Sequence, residues 1–461
     1  MAHELAWATA AEIAAAVSAG KVTAAAVIEA TLSRIARLNP KLNAFTAVTA
    51  ERARARAHAV DTAADKGPLA GVPFAVKNLF DVAGIPTVAG SKINRAHPPA
   101  TKDSPLIERL EQAGAVCVGA LNMGEYAYDF TGENVHDGPS RNPHDLTRMS
   151  GGSSGGSGSA VGGGLTPLAL GSDTNGSIRV PSSLCGIFGL KPTYGRLSRA
   201  RSFPFVASLD HLGPFARSTL DLALAYDVMQ GEDAEDPACA QRAHEFATPT
   251  LSHGLNGLRI AVAGGYFRKG ASPEALGALA TVAQAVHAHD TIEIPEAQRA
   301  RAAAYVITAT EGAALHLDRL RNQARDFDPA VRDRLIAGAM IPAALVNKAQ
   351  VFRRWYRERV LDLFDRYDAI LAPATPCTAP KIGQQSFTLD GVEMPVRPNM
   401  GLYTQPISFI GLPVVAVPVP LKPLPIGVQI IAAPWREEVA LRIAYALEQM
   451  KVVKATEAKI E

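Results

Sequence analysis

The sequence predicts an α/β protein, a central mixed β-sheet flanked by helices, and three observations carry the prediction. Between about residues 68 and 196, short apolar runs such as "GVPFAV" and "AVCVGA" alternate with glycine-rich turns and amphipathic pieces such as "SPLIERLEQAG". That is the texture of strands and helices sharing one buried sheet. Three later runs, "YDAILAPATP", "GLPVVAVPVP" and "PIGVQIIAA", read as core strands returning to the same sheet. Finally, 461 residues with 48% hydrophobic and 20% charged side chains can bury a large core, and no internal repeat divides them. A single domain over 1–461 is expected.

Taken in order, Thr9 and Glu12 frame a capping box ahead of Ile13 and Val17, and Gly20 is a natural stop for this first helix. A second helix starts at Thr23 and runs through Val27, Ile28, Leu32 and Ile35 to Asn39-Pro40, where proline predicts its end. The stretch of about 68–200 holds the glycine-rich motifs and reads as the catalytic core. Residues 231–300 are polar, alanine-rich and weakly patterned apart from "LRIAVAG", and are expected to form a variable peripheral segment. Residues 301–461 complete the core, with one long helical pattern over 329–367.

Lys and Arg number 46 against 44 Asp and Glu, with no basic run, so a nucleic-acid partner is not expected and small-molecule chemistry is. The start, "MAHELAWATAAEIAAAVSAG", lacks the basic region and apolar core of an export signal, and no window approaches ~18 uninterrupted apolar residues. The expectation is a cytoplasmic protein without a membrane partner. Cys117, Cys185, Cys239 and Cys377 are scattered, with no CxxC or Cys/His cluster, which predicts reduced thiols and no metal site.

Residues 149–164, "MSGGSSGGSGSAVGGG", hold eight glycines and five serines in sixteen positions. Composition alone suggests a flexible linker. The adjoining stretch argues otherwise: "LTPLALGSDTNGSIRVPSSLCGIFGLKPTYG" combines strand-like pieces, a second glycine-serine turn and an Asp/Arg pair. The tract contains G-x-S-x-G at 152–156, but the polar "RNPHDLTRMSG" before it is not the buried strand that a nucleophile elbow needs. Nor does "GYFRKGAS" place lysine where a phosphate loop requires it. Glycine does suit a site that brings two hydroxyls and several backbone N–H groups against one carbonyl, because it allows close approach and unusual backbone angles. Ser153 and Ser177 each lie in such a turn.

The missing element is a base. His136 and His144 sit in a polar loop and offer no clear partner. Lys77 ends "GVPFAVK", in which Val72, Phe74 and Val76 alternate, so a buried strand would deliver its amine to the end of the sheet. A lysine is a base only when neutral, and moving it from ~10.4 to about 7 takes ~4 to 5 kcal/mol of preference for the neutral form. Burial supplies shifts of that size, and the uncharged neighbourhood of 149–172 would hold no carboxylate to retain the proton. A single lysine at a strand end is otherwise a surface residue.

"GVPFAVKNLFDV", "GGSSGGSGSAV", "LGSDTNGSIRVPSSLCGIFGLKPTYGRLS", "LAPATP" and "GLPVVAVPVP…LPIGVQII", in that order, resemble the amidase-signature family across almost the whole chain outside its variable middle. The resemblance implies the amidase-signature α/β/α fold and a Ser-cisSer-Lys triad. Ser177 would be the nucleophile; Ser153, on a cis peptide after Gly152, would relay a proton to neutral Lys77. The N–H groups of Thr174, Asn175, Gly176 and Ser177 would form the oxyanion hole, without metal or organic cofactor.

Departures from the family pattern bear on the substrate. Asn175-Gly176 stands where many relatives have two glycines, and "YDFTGEN" places Tyr128 and Asp129 near the acyl pocket. Within the tRNA amidotransferase branch an arginine and an aspartate grip the amino acid; Arg334 matches the arginine, but Gly401 stands at the aspartate. An arginine fork without the acid suits a carboxylated substrate lacking an α-amino cation. The resemblance therefore implies deamination of a small carboxylated ureide at its terminal amide. It also implies a small helical companion like the C-type amidotransferase subunit, in a heterotetramer built on a dimer of this chain. The alternatives are the glutaminase subunit of a tRNA amidotransferase, a broad-range amidase and a catalytically silent scaffold.

Overall fold

The computed structural model describes residues 4–460, so the first three residues of the N-terminal stretch lie outside the described residues. Eleven strands form one sheet. In chain order they are β1 (Phe45–Val48), β2 (Pro73–Lys77), β3 (Val116–Leu121), β4 (Leu168–Asp173), β5 (Phe188–Lys191), β6 (His211–Ala216), β7 (Ile260–Ala263), β8 (Asp290–Ile292), β9 (Ala369–Pro373), β10 (Val414–Val419) and β11 (Ile426–Ala432). Across the sheet the order is β1-β3-β2-β4-β6-β5-β10-β11-β9-β7-β8.

The sheet is mixed. β2 runs parallel to both β3 and β4, with Val76 opposite Leu170. From β4 through β6, β5, β10 and β11 to β9 every neighbour is antiparallel, and β9, β7 and β8 are parallel again. All five apolar runs singled out in the sequence are strands of this sheet. β2 is buried along its whole length, so the alternation of Val72, Phe74 and Val76 does not mark one wet face. A parallel strand between two others is covered on both sides, and its last residue is buried with the rest.

Helix α1 (Ala10–Ser18) carries the expected capping box, and Asp221 reinforces it by accepting from the backbone N–H of Ala10 and Ala11. Helix α2 (Ala24–Leu42) begins as expected, with the Thr23 side chain accepting from Ala26 N–H, but does not end at Pro40. Proline removes one donor, yet the last turn continues until buried Leu42 is seated and Asn43 turns left-handed at φ 51°.

The glycine-serine tract is neither linker nor elbow. It contains a buried helix, α3 (Gly155–Gly162), followed across β4 by a second short helix, α4 (Arg179–Cys185). Glycine is a poor helix former, so packing must decide this case. A Cβ on Gly156 would come within 2.6 Å of the backbone of Ala44 and Asn122. Only a helix without side chains there can lie so close to the end of β3.

Residues 231–300, expected to be peripheral, supply strands β7 and β8 at one edge of the sheet. Helix α5 (Ala297–Gln323) follows. The pattern over 329–367 is two helices, not one: α6 (Pro329–Ala339) and α7 (Ala343–Leu361) meet at a bend of 95° before Pro342, because the residue ahead of a proline disfavours helical backbone. Among the described residues no single helix is long and apolar enough to cross a membrane.

Candidate active site

Parallel β2 and β4 end side by side, and the site is built at their ends. Lys77, last in β2, is fully buried; its Nζ lies 2.6 Å from Ser153 Oγ and 2.9 Å from Ser172 Oγ, near the end of β4. Burial lowers the lysine from its ordinary 10.5 to about 7. The expected absence of carboxylates is corrected in part: none touches the amine, but Asp210, Asp173 and Asp129 act on it through space and moderate the effect of burial.

Burial alone does not distinguish Lys77. Lys191 is equally buried and also lowered to about 7 by desolvation, yet its Nζ donates only to the carbonyls of Leu412 and Pro192. The hydroxyl partners set Lys77 apart.

Ser153 follows a cis Gly152–Ser153 peptide bond, and its carbonyl accepts from Gly124 N–H while Gly152 N–H donates to Phe130 O. A Cβ on Gly152 would meet Asp129 Oδ2 at 2.4 Å and Gly132 N at 2.7 Å, so this position admits only glycine. The Asp129 carboxylate accepts from the N–H groups of Thr131 and Gly132 and pairs with Arg397 at 2.6 Å. It holds the loop that grips the Ser153 turn.

The second serine lies on the turn between β4 and α4. Asp173 and Arg179 join the two ends of that turn through a buried ion pair of 2.9 Å, and Asp173 Oδ2 also accepts from Ile178 N–H. Burial would raise the Asp173 carboxyl, but the Arg179 guanidinium outweighs it and holds the group well below the usual carboxylate range. Between these anchors the N–H groups of Thr174, Asn175, Gly176 and Ser177 make no hydrogen bond among the described residues. Gly176 has φ +145°, and a Cβ there would meet Thr404 Oγ1 at 2.2 Å. Asn175 does more than add bulk to the turn: its side chain donates to Thr308 Oγ1 on α5, and its carbonyl accepts from Thr404.

Ser177 lines a small, narrow cavity together with Tyr128, Asp129, Thr174, Asn175, Arg334 and Gln405. Arg334 thus faces the cavity and not open solvent; its guanidinium carbon lies 3.8 Å from the centre of the Tyr128 ring. Its Nε donates to Ala330 O and its Nη2 to Tyr128 O. Three of its five N–H groups remain, both on Nη1 and one on Nη2, so the protein uses part of the fork and leaves the rest for a ligand. At Gly401 the space an acid would need is filled: a Cβ would lie 2.3 Å from Phe130 Cζ. Among the described residues no three His, Cys, Asp or Glu side chains are placed to hold a metal ion, and all four cysteines are free.

Residues 26–441 match the family described as Amidase. This protein is an amidase-family hydrolase. It is 52% identical over 450 residues to the AtzE subunit of the 1-carboxybiuret hydrolase of Pseudomonas sp. (strain ADP), across 96% of this chain and 98% of that one. It is 35% identical over 474 residues to a glutamyl-tRNA(Gln) amidotransferase subunit of Chromohalobacter salexigens, across 95% of each. Among solved structures, an s-triazine catabolic enzyme described in a vestigial protein complex superposes with a TM-score of 0.96 at 51% identity, covering 97% of this chain and all of that one. A 6-aminohexanoate cyclic dimer hydrolase superposes at 0.88 and 28% identity, covering 98% and 99%.

Three amidase residues were not singled out in the sequence. Ser172, the second hydroxyl on Lys77, sits in the quoted "GSDTNGS" and could have been found there. Asp210 accepts from Thr174 Oγ1 at 2.6 Å and from the N–H groups of Phe205 and Val206, and Gln405 lines the cavity. No local pattern marks either, because both reach the site through the fold.

Proposed function

We propose that this amidase removes the terminal amide nitrogen of a small carboxylated ureide, 1-carboxybiuret, giving urea-1,3-dicarboxylate and ammonia. The observation that carries the reading is the 2.6 Å approach of Ser153 Oγ to a buried Lys77 amine whose proton leaves near pH 7. Neutral Lys77 takes the Ser153 proton as Ser153 takes that of Ser177, and Ser177 Oγ bonds to the terminal carbonyl carbon. The N–H groups of 174–177 hold the oxyanion. As the C–N bond breaks, the proton returns through Ser153 to the leaving nitrogen, which departs as ammonia. Water then adds to the acyl-enzyme by the same route, and the acid leaves with Ser177 restored. Arg334 binds the substrate carboxylate and Tyr128 shapes the cavity, while Gly152, expected at the substrate, does not line that cavity and acts through the Ser153 turn.

The amidotransferase glutaminase is the second reading, and the Phe130 ring packed on Gly401 disfavours it, since no acid stands there for an α-amino group. The same proposal includes a dimer of this chain, a small helical companion protein and a cytoplasmic setting. Co-purification from the native cell and light scattering test the assembly.

Ammonia release from 1-carboxybiuret, biuret, glutamine and asparagine tests the chemistry. The expected result is a preference for the first, abolished in Ser177→Ala and Lys77→Ala without unfolding. Because the base must be neutral, kcat/KM should rise with pH through about 7. Near-normal turnover in either variant would overturn the mechanism, and a preference for glutamine would overturn the substrate.

A further inference from the structure

Gln405 begins the short helix Gln405–Ser408 and is 1% exposed. Arg301 Nε donates to its Oε1 at 3.0 Å. Arginine has no acceptor, so the atom facing it must be the amide oxygen, and the orientation of the side chain is fixed by chemistry. Arg301 is itself held by Pro398 O and Asn399 Oδ1, both at 2.8 Å. The amide nitrogen of Gln405 makes no hydrogen bond among the described residues, and it is not one of the sealed, orphaned polar atoms. The open space that Gln405 lines is the Ser177 cavity.

Arg334 spends two of its five N–H groups on Ala330 O and Tyr128 O, and the two oxygens of a planar carboxylate offer more acceptor positions than the three left on Nη1 and Nη2 can fill from one side. We propose that Gln405 Nε2 donates to the second oxygen, so that Gln405 and Arg334 together select substrates with a carboxylate at that end. This rests on the carboxylated-substrate reading above. Arg301 acts as a positioning residue: by occupying Oε1 it keeps a donor, and not an acceptor, turned to the substrate.

Gln405→Glu tests this cleanly. It keeps an oxygen for Arg301, so the fold is spared, and replaces the donor with a negative acceptor. With 1-carboxybiuret, KM should rise about ten- to hundredfold, the usual worth of a hydrogen bond to a charged group, while kcat changes far less. With butyramide, kcat/KM should stay within about threefold. Gln405→Leu should show the same split more weakly. Malonate binding to the intact protein, followed by calorimetry, should weaken in parallel. If both variants bind malonate as the parent does, or if KM rises equally for butyramide, the assignment is wrong. A parent enzyme that ignores 1-carboxybiuret but loses malonate affinity on Gln405→Glu would sink the substrate reading and leave this one standing.

Discussion

Replacing Lys77 by methionine should stabilise the folded protein at neutral pH while abolishing turnover. In the unfolded chain the lysine titrates near 10.5, and in the fold near 7. Between those values the unfolded state binds the extra proton, so the parent's stability rises with pH across this window and is lowest at and below about pH 7. At about 1.4 kcal/mol per pH unit, the buried amine costs the parent roughly 5 kcal/mol at pH 7. Methionine has similar length and no proton to lose, but it leaves the Ser153 and Ser172 hydroxyls without their partner, at about 1 to 2 kcal/mol each. The variant should therefore be more stable by about 1 to 3 kcal/mol at pH 7, equal near about pH 8 to 9, and less stable by about 2 to 4 kcal/mol at pH 10.5. Urea titrations of both proteins at pH 7, 8, 9 and 10, followed by tryptophan fluorescence, measure the difference. A gap that stays constant over that range would mean the folded amine is charged and cannot serve as the base.

Two further outcomes concern the frame around the site. Gly401→Ala should destabilise by about 1 to 3 kcal/mol through the clash with Phe130, and Phe130→Leu in the same chain should recover most of it; strictly additive melting shifts would show that the ring does not fill this space. Arg179→Met strands the Asp173 charge and should cost about 3 to 5 kcal/mol in urea titration, whereas removing both partners with Asp173→Leu should cost less than Arg179→Met alone. A double variant as weak as the sum of the singles would refute the pairing.

The strands were legible in the sequence because each apolar run is short, bounded by glycine or proline, and long enough to cross the sheet. The two serine turns and Lys77 were legible through their motifs. What sequence order could not convey was three-dimensional supply. Asp210 and Gln405 arrive from distant segments, and Arg334 spends two of its nitrogens on the protein's own carbonyls. The two misjudged helices share a cause. Pro40 falls in a final turn where losing one N–H is tolerated, while Pro342 stands at a start, where the preceding residue must leave the helix. Strand β7 was visible in "LRIAVAG", whereas β8 was missed because an edge strand with two of its three residues exposed needs little apolar surface.

The glycine-serine helix inverts a habit of protein engineering. Repetitive stretches are ordinarily the places to insert, trim or tether, since their spelling carries little information. Here the monotony is itself the specification: with backbone within 2.6 Å of a would-be methyl on Gly156, and Pro181 of the neighbouring helix within 2.9 Å of one on Gly158, a saturation library should find these plain residues among the least replaceable in the chain.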